Sequence, residues 1–337
     1  MTETSPLREA QQRFADAIPW RRMAAETCSL EQALGRTLHQ DVVAQMDSPP
    51  YPRAIVEGYL VASEATAGAS EEQPLSFKIT GTVAPGDSEC PVPAAGCAIE
   101  VATGSIVPAG PYAIVRMWEA EREGEHFRIS RPFPAGFFIE EQGCDVKQGS
   151  VVMHAGQTLD PAAIGTLASL GIAQVSVSAR PRVTIFASGD EVIPYTEPPR
   201  PGAIFDCDSV MLAAAVHQAG GIPHQGGIQG DDFDAFVATA RQALEQADML
   251  VIAGGTAVAG RDFISDLVRE LGELIVDGVP MRSGRPLIMG VADGKPIVCV
   301  AGHPPEALRG FLLFGTAAID RLLGREAALP EDPNPPA

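Results

Sequence analysis

Positive charge is scarce in this sequence. Lysine and arginine total 24 against 43 aspartate and glutamate, a formal charge of −19 over 337 residues. A general nucleic-acid binder is thereby excluded, because it needs a basic footprint to displace counterions from phosphates. An anionic ligand must be met by a local cluster of cations or by backbone N–H groups. Paired cysteine motifs are also missing. The six cysteines, at 28, 90, 97, 144, 207 and 299, form no C-x-x-C and no zinc-type spacing to histidine; most are expected to be small buried hydrophobes. No apolar run reaches the ~18 residues of a membrane-spanning helix, and no basic-then-apolar leader opens the chain. The expectation is a soluble, cytoplasmic protein without a membrane partner. Neither a Walker sequence nor G-x-G-x-x-G occurs.

What is present suffices for real cores. Apolar residues make up 45% of the chain, and this length suggests two or three domains. Residues 6–17 and 29–38 carry apolar side chains at helical spacing, with Ser29 as a candidate cap for the second helix. From about 46 to 137, short β-rich runs (LSFKIT, CAIEVAT, YAIVRMW, HFRIS) alternate with Pro/Gly turns, which reads as an inserted β domain. Residues 151–178 read as strand, helix, strand. Beyond 180, apolar strands (182–188, 222–229, 249–255, then PLIMGV and PIVCVAG) alternate with helices (208–220, 231–247, 262–272, 304–324). That alternation predicts a parallel sheet covered on both faces, with ligands beyond the carboxyl ends of its strands.

Three strand ends there carry unusual chemistry. Ser188-Gly189-Asp190-Glu191 puts two carboxylates on a strand-to-loop turn, suited to a divalent cation or to acid–base work, or equally to a solvated turn. Gly254-Gly255-Thr256, followed by Arg261-Asp262, lets backbone N–H groups approach an anion ahead of a helix N-terminus. Arg282-Ser283-Gly284-Arg285-Pro286 concentrates positive charge in an acidic chain. Gly302-His303-Pro304 opens the last helix.

Taken in order, these motifs resemble those of the molybdopterin molybdenumtransferase (MoeA) family, to which the E-domains of gephyrin and its plant counterpart are related. Pro49-Pro50-Tyr51 with Glu57-Gly58-Tyr59 is similar to the family's P-x-F-D-N-S-A-M-D-G-Y-A, and Ala102-Thr103-Gly104-Ser105 with Val107-Pro108 to M-T-G-A-x-[VL]-P. Gly143-Cys144-Asp145 stands where the family has G-E-D. Ser188-Gly189-Asp190-Glu191 resembles T-G-D-E-L, Gly254-Gly255-Thr256 with Asp262 resembles S-G-G-V-S-x-G-x-x-D, Gly284-Arg285-Pro286 resembles K-P-G-K-P, and Gly302-His303-Pro304 resembles L-P-G-N-P.

The resemblance implies a multidomain α/β protein. A hinge domain would comprise 1–46 with 138–178, a small β-rich domain would be inserted at 47–137, and a three-layer α/β molybdopterin-binding (MogA-like) domain would span 179–326, leaving a disordered tail at 327–337. The family's C-terminal β domain has no expected counterpart in these residues. A homodimer is implied, with adenylylated molybdopterin as ligand, Mg²⁺ as cofactor and molybdate as the group inserted. Carried over by position, Glu57, Asp145, Asp190, Glu191 and Asp262 would be catalytic, and Asp190, Glu191 and Asp262 would hold the metal. Ligand binding would fall to Thr103, Gly104, Ser188, Gly189, Asp206, Asp231, Gly254, Gly255, Thr256, Arg282, Gly284, Arg285, Pro286, Gly302 and His303. Departures cluster at the oxyanion site. Glu140, Glu141 and Gln142 replace the arginines before G-E-D, Cys144 replaces its Glu, and Glu306 replaces a molybdate-contacting Ser. A like charge at ~4 Å costs about 1 kcal/mol even in water. Three readings follow: a Mg²⁺-dependent molybdenumtransferase; a non-catalytic molybdopterin carrier or assembly partner serving a cofactor-biosynthesis protein or client enzyme; and a scaffold subunit keeping only the fold.

Overall fold

Ser5 and Pro6 start the first helix for plain reasons: the Ser5 hydroxyl accepts the Arg8 N–H at 3.3 Å and proline tolerates the first helical position. The computed structural model describes residues 5–254, 257–258, 261–281, 284–327 and 329–331. Its contacts divide the chain into two compact units. One comprises 1–40, 154–164 and 174–337, and the other 41–153 with 165–173.

The larger unit is built on a six-stranded sheet of β7 (Arg182–Ser188), β8 (Ile222–Gln229), β9 (Met249–Ala253), β10 (Glu273–Asp277), β11 (Ile288–Ala292) and β12 (Lys295–Val300). The order is β8-β7-β9-β12-β11-β10. The first four are parallel, whereas β11 runs antiparallel to β12 and β10 antiparallel to β11. The sheet is therefore mixed where a parallel one was expected. The cause is local: Asp293 and Gly294 both take positive φ (52° and 75°), the conformation of a two-residue hairpin turn.

Alternate strand residues serve opposite faces. Val183, Ile185 and Val251 pack with α1 (Pro6–Ala17), α2 (Asp208–Ala219) and the final helical run 304–323. Phe186, Leu250 and Ile252 pack with α3 (Phe233–Gln246) and α4 (Phe263–Leu271). Two helical layers thus enclose the sheet. The final run contains a π-helical turn at Phe311–Gly315, where the buried Gln11 carboxamide donates to Leu313 O at 3.0 Å. Cys299 lies in this core, and all six cysteines are unpaired. Leu329 O and Pro330 O accept hydrogen bonds from Arg8 and Gln11, so those tail residues are held rather than frayed.

The helix expected over 29–38 is not formed. Ala25–Ser29 is a strand paired with Gln174–Ser178, followed by a single 3₁₀ turn at Leu30–Gln32. Gly35 N–H and Leu38 N–H are spent on Leu159 O and Gln157 O, so tertiary bonds override the helical spacing.

The smaller unit carries its own six-stranded sheet of β1 (Gly58–Ala62), β2 (Leu75–Val83), β3 (Cys97–Val101), β4 (Tyr112–Arg116), β5 (Glu121–Glu123) and β6 (His126–Ile129), in the order β4-β1-β3-β2-β6-β5. Tyr59 and Val61 enter one cluster with Phe77 and Phe127, while Leu60 enters another with Ile99 and Ile114. Strand β1 is thus buried on both faces. Among the described residues no helix is long and apolar enough to cross a membrane.

Candidate functional site

Three hydrogen bonds draw four strand ends of the larger unit into one row. Gly189 N–H donates to Gln229 O at 3.0 Å, Ser188 Oγ to Ala253 O at 3.5 Å, and Gly254 N–H to Val300 O at 3.2 Å. The carboxyl ends of β8, β7, β9 and β12 are therefore side by side. Gly189 has φ of +139°, a conformation that favours glycine. A Cβ at Gly254 would overlap the Ser188 hydroxyl. The turn before β11 reaches the same edge, because Ile288 pairs with Cys299. There Gly284 is buried and a Cβ would overlap Val279 O, while Arg285 is exposed. Gly302 and His303 are exposed beyond β12, and His303 O accepts the Ala307 N–H at 2.8 Å as the final helix begins. Glu306 occupies the first turn of that helix. Gly255, Thr256 and Arg282 lie outside the described residues, as does the side chain of Asp262.

Three carboxylates, Asp190, Glu191 and Asp231, lie along this row. Asp190 Oδ1 accepts the Asp231 N–H at 3.1 Å, and a Cβ on Gly230 would lie 2.8 Å from the same oxygen. The Glu191 carboxylate folds back over Gly189, within 2.7 Å of where a Cβ would stand. Burial, then the charges of Asp190 and Glu191, push the Asp231 carboxyl above its ordinary range. Among the described residues no lysine or arginine pairs with Asp190, Glu191 or Asp231. Among the described residues, only Glu140, Cys144 and Asp145 bring three ligand atoms within 4.8 Å of one another, and Asp190, Glu191 and Asp231 do not.

Asp208 is a residue that sequence reasoning missed. Asp206 Oδ1 caps the start of α2 by accepting the Ser209 N–H at 2.9 Å. Asp208 itself is 9% exposed, and its Oδ1 has no hydrogen-bond partner among the described residues. Burial first, then Asp206, raise its carboxyl to about 6, with His303 opposing. The Asp206-Cys207-Asp208 sequence at a helix start was the available signal. The raised value means that ionisation costs stability as pH climbs from about 4 to about 6, and the penalty is complete above that. Asp208→Asn is expected to stabilise the protein at pH 7.5 by on the order of 1 kcal/mol after solvent screening, seen as a higher melting temperature, with no gain at pH 4. Thermal melts at the two pH values check this.

In the smaller unit, Gly104 (φ +86°) donates to Ala54 O at 2.7 Å while Ala54 N–H donates to Ser105 O at 2.9 Å. These bonds fasten the turn at exposed Thr103 and half-buried Gly104 to the strand Arg53–Ala54, three residues before exposed Glu57. That strand pairs with Ile139–Glu140. Arg53 Nε donates to Glu140 at 2.5 Å, and ligating atoms of Glu140, Cys144 and Asp145 lie within 4.8 Å of one another. Desolvation of the exposed Cys144 thiol by its neighbours, then the charges of Asp145 and Glu140, push it up. Arg53 is therefore neutralised locally, and the cluster keeps a negative excess.

Comparison with known proteins places both units. Residues 5–171 match a family described as "MoeA N-terminal region (domain I and II)", and residues 184–321 match "Probable molybdopterin binding domain". The chain is 28% identical over 327 residues to a molybdopterin molybdenumtransferase of Staphylococcus aureus strain Mu50, covering 97% of this chain and 78% of that protein. A Staphylococcus epidermidis protein of the same name is 28% identical over 305 residues, covering 90% and 73%. A crystal structure of a molybdopterin biosynthesis MoeA protein from Pyrococcus horikoshii OT3 superimposes with a TM-score of 0.82 at 30% identity, covering 96% of this chain and 80% of that one.

Proposed function

Because this chain belongs to the MoeA family, we propose that it acts in molybdenum cofactor biosynthesis, binding adenylylated molybdopterin at the carboxyl ends of β7, β8, β9 and β12. One observation carries this reading: the row of strand ends presents glycine backbone beside carboxylates with which no lysine or arginine pairs among the described residues. Gly189, Gly254 and Gly302 keep Cβ atoms away from the row, so that a phosphate can approach the backbone. Ser188 and Asp206 lie beside it, and exposed Arg285 offers the positive charge an anion needs. Asp190 and Glu191, with Asp231 against them and Asp262 as a further donor, would hold Mg²⁺. That ion would supply charge neutralisation at the pyrophosphate. In the smaller unit, Glu57 and Asp145 are the acid–base candidates beside the Thr103-Gly104 turn.

Adenylyl release and molybdate insertion complete the transferase reading. The hinge, inserted and molybdopterin-binding domains at 1–46 with 138–178, 47–137 and 179–326 go with it, as do a homodimer and a cytoplasmic location. One observation favours the second reading, a non-catalytic carrier. Arg53, a cation that could face an oxyanion, is paired with Glu140 beside Asp145.

Titration with adenylylated molybdopterin, followed by measurement of AMP release with Mg²⁺ and molybdate, separates these outcomes. The expected result is saturable binding with Mg²⁺-dependent AMP release. Binding without release leaves the carrier, and absence of binding overturns both. Light scattering gives the assembly, and a strict monomer would remove the homodimer from the reading.

A further inference from the structure

Strand β7 is apolar through its interior except at Thr184. That residue is 4% exposed, and its hydroxyl makes no hydrogen bond among the described residues. The hydroxyl is not sealed from solvent: it is the one polar side-chain group in the strand interior and opens into the cavity that Thr184 lines. Thr184 lines a solvent-open cavity of about 240 Å³ together with buried Phe186 and the exposed Arg182, His224, Gln242 and Gln246. The cavity exists because of the edge strand β8. Its pairing with β7 slips between Ile185 and Phe186, leaving Gly226 as the extra residue, and a Cβ there would lie 2.6 Å from Phe186 Cδ1. Helix α3 turns its apolar positions Phe236, Val237, Ala240 and Leu244 into the core. Its Gln242 and Gln246 line the cavity instead.

The charge of this cavity is out of character for the chain. No carboxylate lines it, although acids outnumber bases 43 to 24 overall. Most described arginines are engaged, as Arg53 is with Glu140 and Arg241 with Glu270. The Arg182 side chain makes no ion pair or hydrogen bond among the described residues. Asp248, whose Oδ2 accepts the Arg182 backbone N–H at 2.7 Å, is not part of the lining. The place is also separate from the row of strand ends. Arg182, Thr184 and Phe186 are the first, third and fifth residues of β7, and at ~3.3 Å per residue Arg182 stands about 20 Å from Ser188.

We propose that this cavity is a second small-molecule site, and that it binds an oxyanion-bearing ligand, a phosphate or a carboxylate. The guanidinium fork of Arg182 suits two oxygens of such a group. The Thr184 hydroxyl donates to it, the His224 ring adds a further polar contact, and the carboxamides of Gln242 and Gln246 face the remainder of the ligand over the Phe186 ring. The proposal stands independently of the molybdopterin reading.

The test is an amide-resolved NMR titration of the full chain with inorganic phosphate and, separately, succinate, at constant ionic strength. Saturable shifts at the Thr184 and Gly226 amides are expected. Saturation by phosphate alone assigns a phosphoryl ligand, and by succinate alone a carboxylate. Arg182→Gln should weaken binding at least tenfold. Thr184→Val, which keeps the shape and removes the unpaired hydroxyl, should weaken it about threefold while leaving the fold intact. Asp190→Asn, at the other site, should leave this titration unchanged. Shifts that never saturate, that survive Arg182→Gln, or that fall only on Gly189 and Gly254 would overturn the proposal.

Discussion

Gly58→Ala is expected to unfold the smaller unit at a temperature where the larger one remains intact. Gly58 is buried at the head of β1 and pairs with Arg116 on β4 and Val101 on β3. A Cβ there would overlap Val115 O and lie 2.8 Å from Ile114 Cγ2. The obstacle is backbone of the neighbouring strand, which cannot swing aside as a long side chain can. Overpacking a core costs about 1–3 kcal/mol when side chains can give way, so about 3 kcal/mol or more is expected here. The next residue amplifies the damage. Tyr59 stacks on Phe127 with ring centroids 4.2 Å apart, and Leu60 enters the opposite cluster. Displacing β1 therefore disturbs both cores at once. Separate cores permit separate transitions, so calorimetry should show one lowered by roughly 10 °C and one unchanged. A single unshifted transition would mean that β1 can move away from β4 without cost.

That glycine shows what could be read in advance. Glu57-Gly58-Tyr59 stood out as a motif, but the need for glycine comes from the approach of β4, some fifty residues later in the chain. Strands β7 and β9 were legible because burial on both faces leaves a continuous apolar run. The short strand Glu273–Asp277 was not, since it follows α4 after a single glycine and has only one neighbour. The antiparallel closure of β11 on β12 was readable in Asp293-Gly294, a strong hairpin signal that the apolar runs on either side obscured. At the site, the glycine turns and the Asp190-Glu191 pair were visible because their chemistry is local. Asp208 was not, because its ionisation depends on burial and on Asp206 and His303.

The carboxylate row predicts an opposition between stability and function. In Asp190→Asn the side-chain oxygen that accepts the Asp231 N–H is retained, so the turn at 229–231 keeps its anchor. One negative charge disappears, and with it part of the repulsion that raises the Asp231 carboxyl. The variant should therefore melt at the same temperature as the parent or a little above it, by a few tenths of a kcal/mol to about 1. A cation site loses a ligand by the same change. Mg²⁺ affinity, read by calorimetric titration, should fall at least tenfold, and Mg²⁺-dependent AMP release on the order of 10²-fold. Asp231→Asn should behave alike, because it relieves the same repulsion. Were both variants to lose stability while Mg²⁺ affinity held, the two carboxylates would be serving the fold of this turn in their charged form, and the cation would have to be held elsewhere.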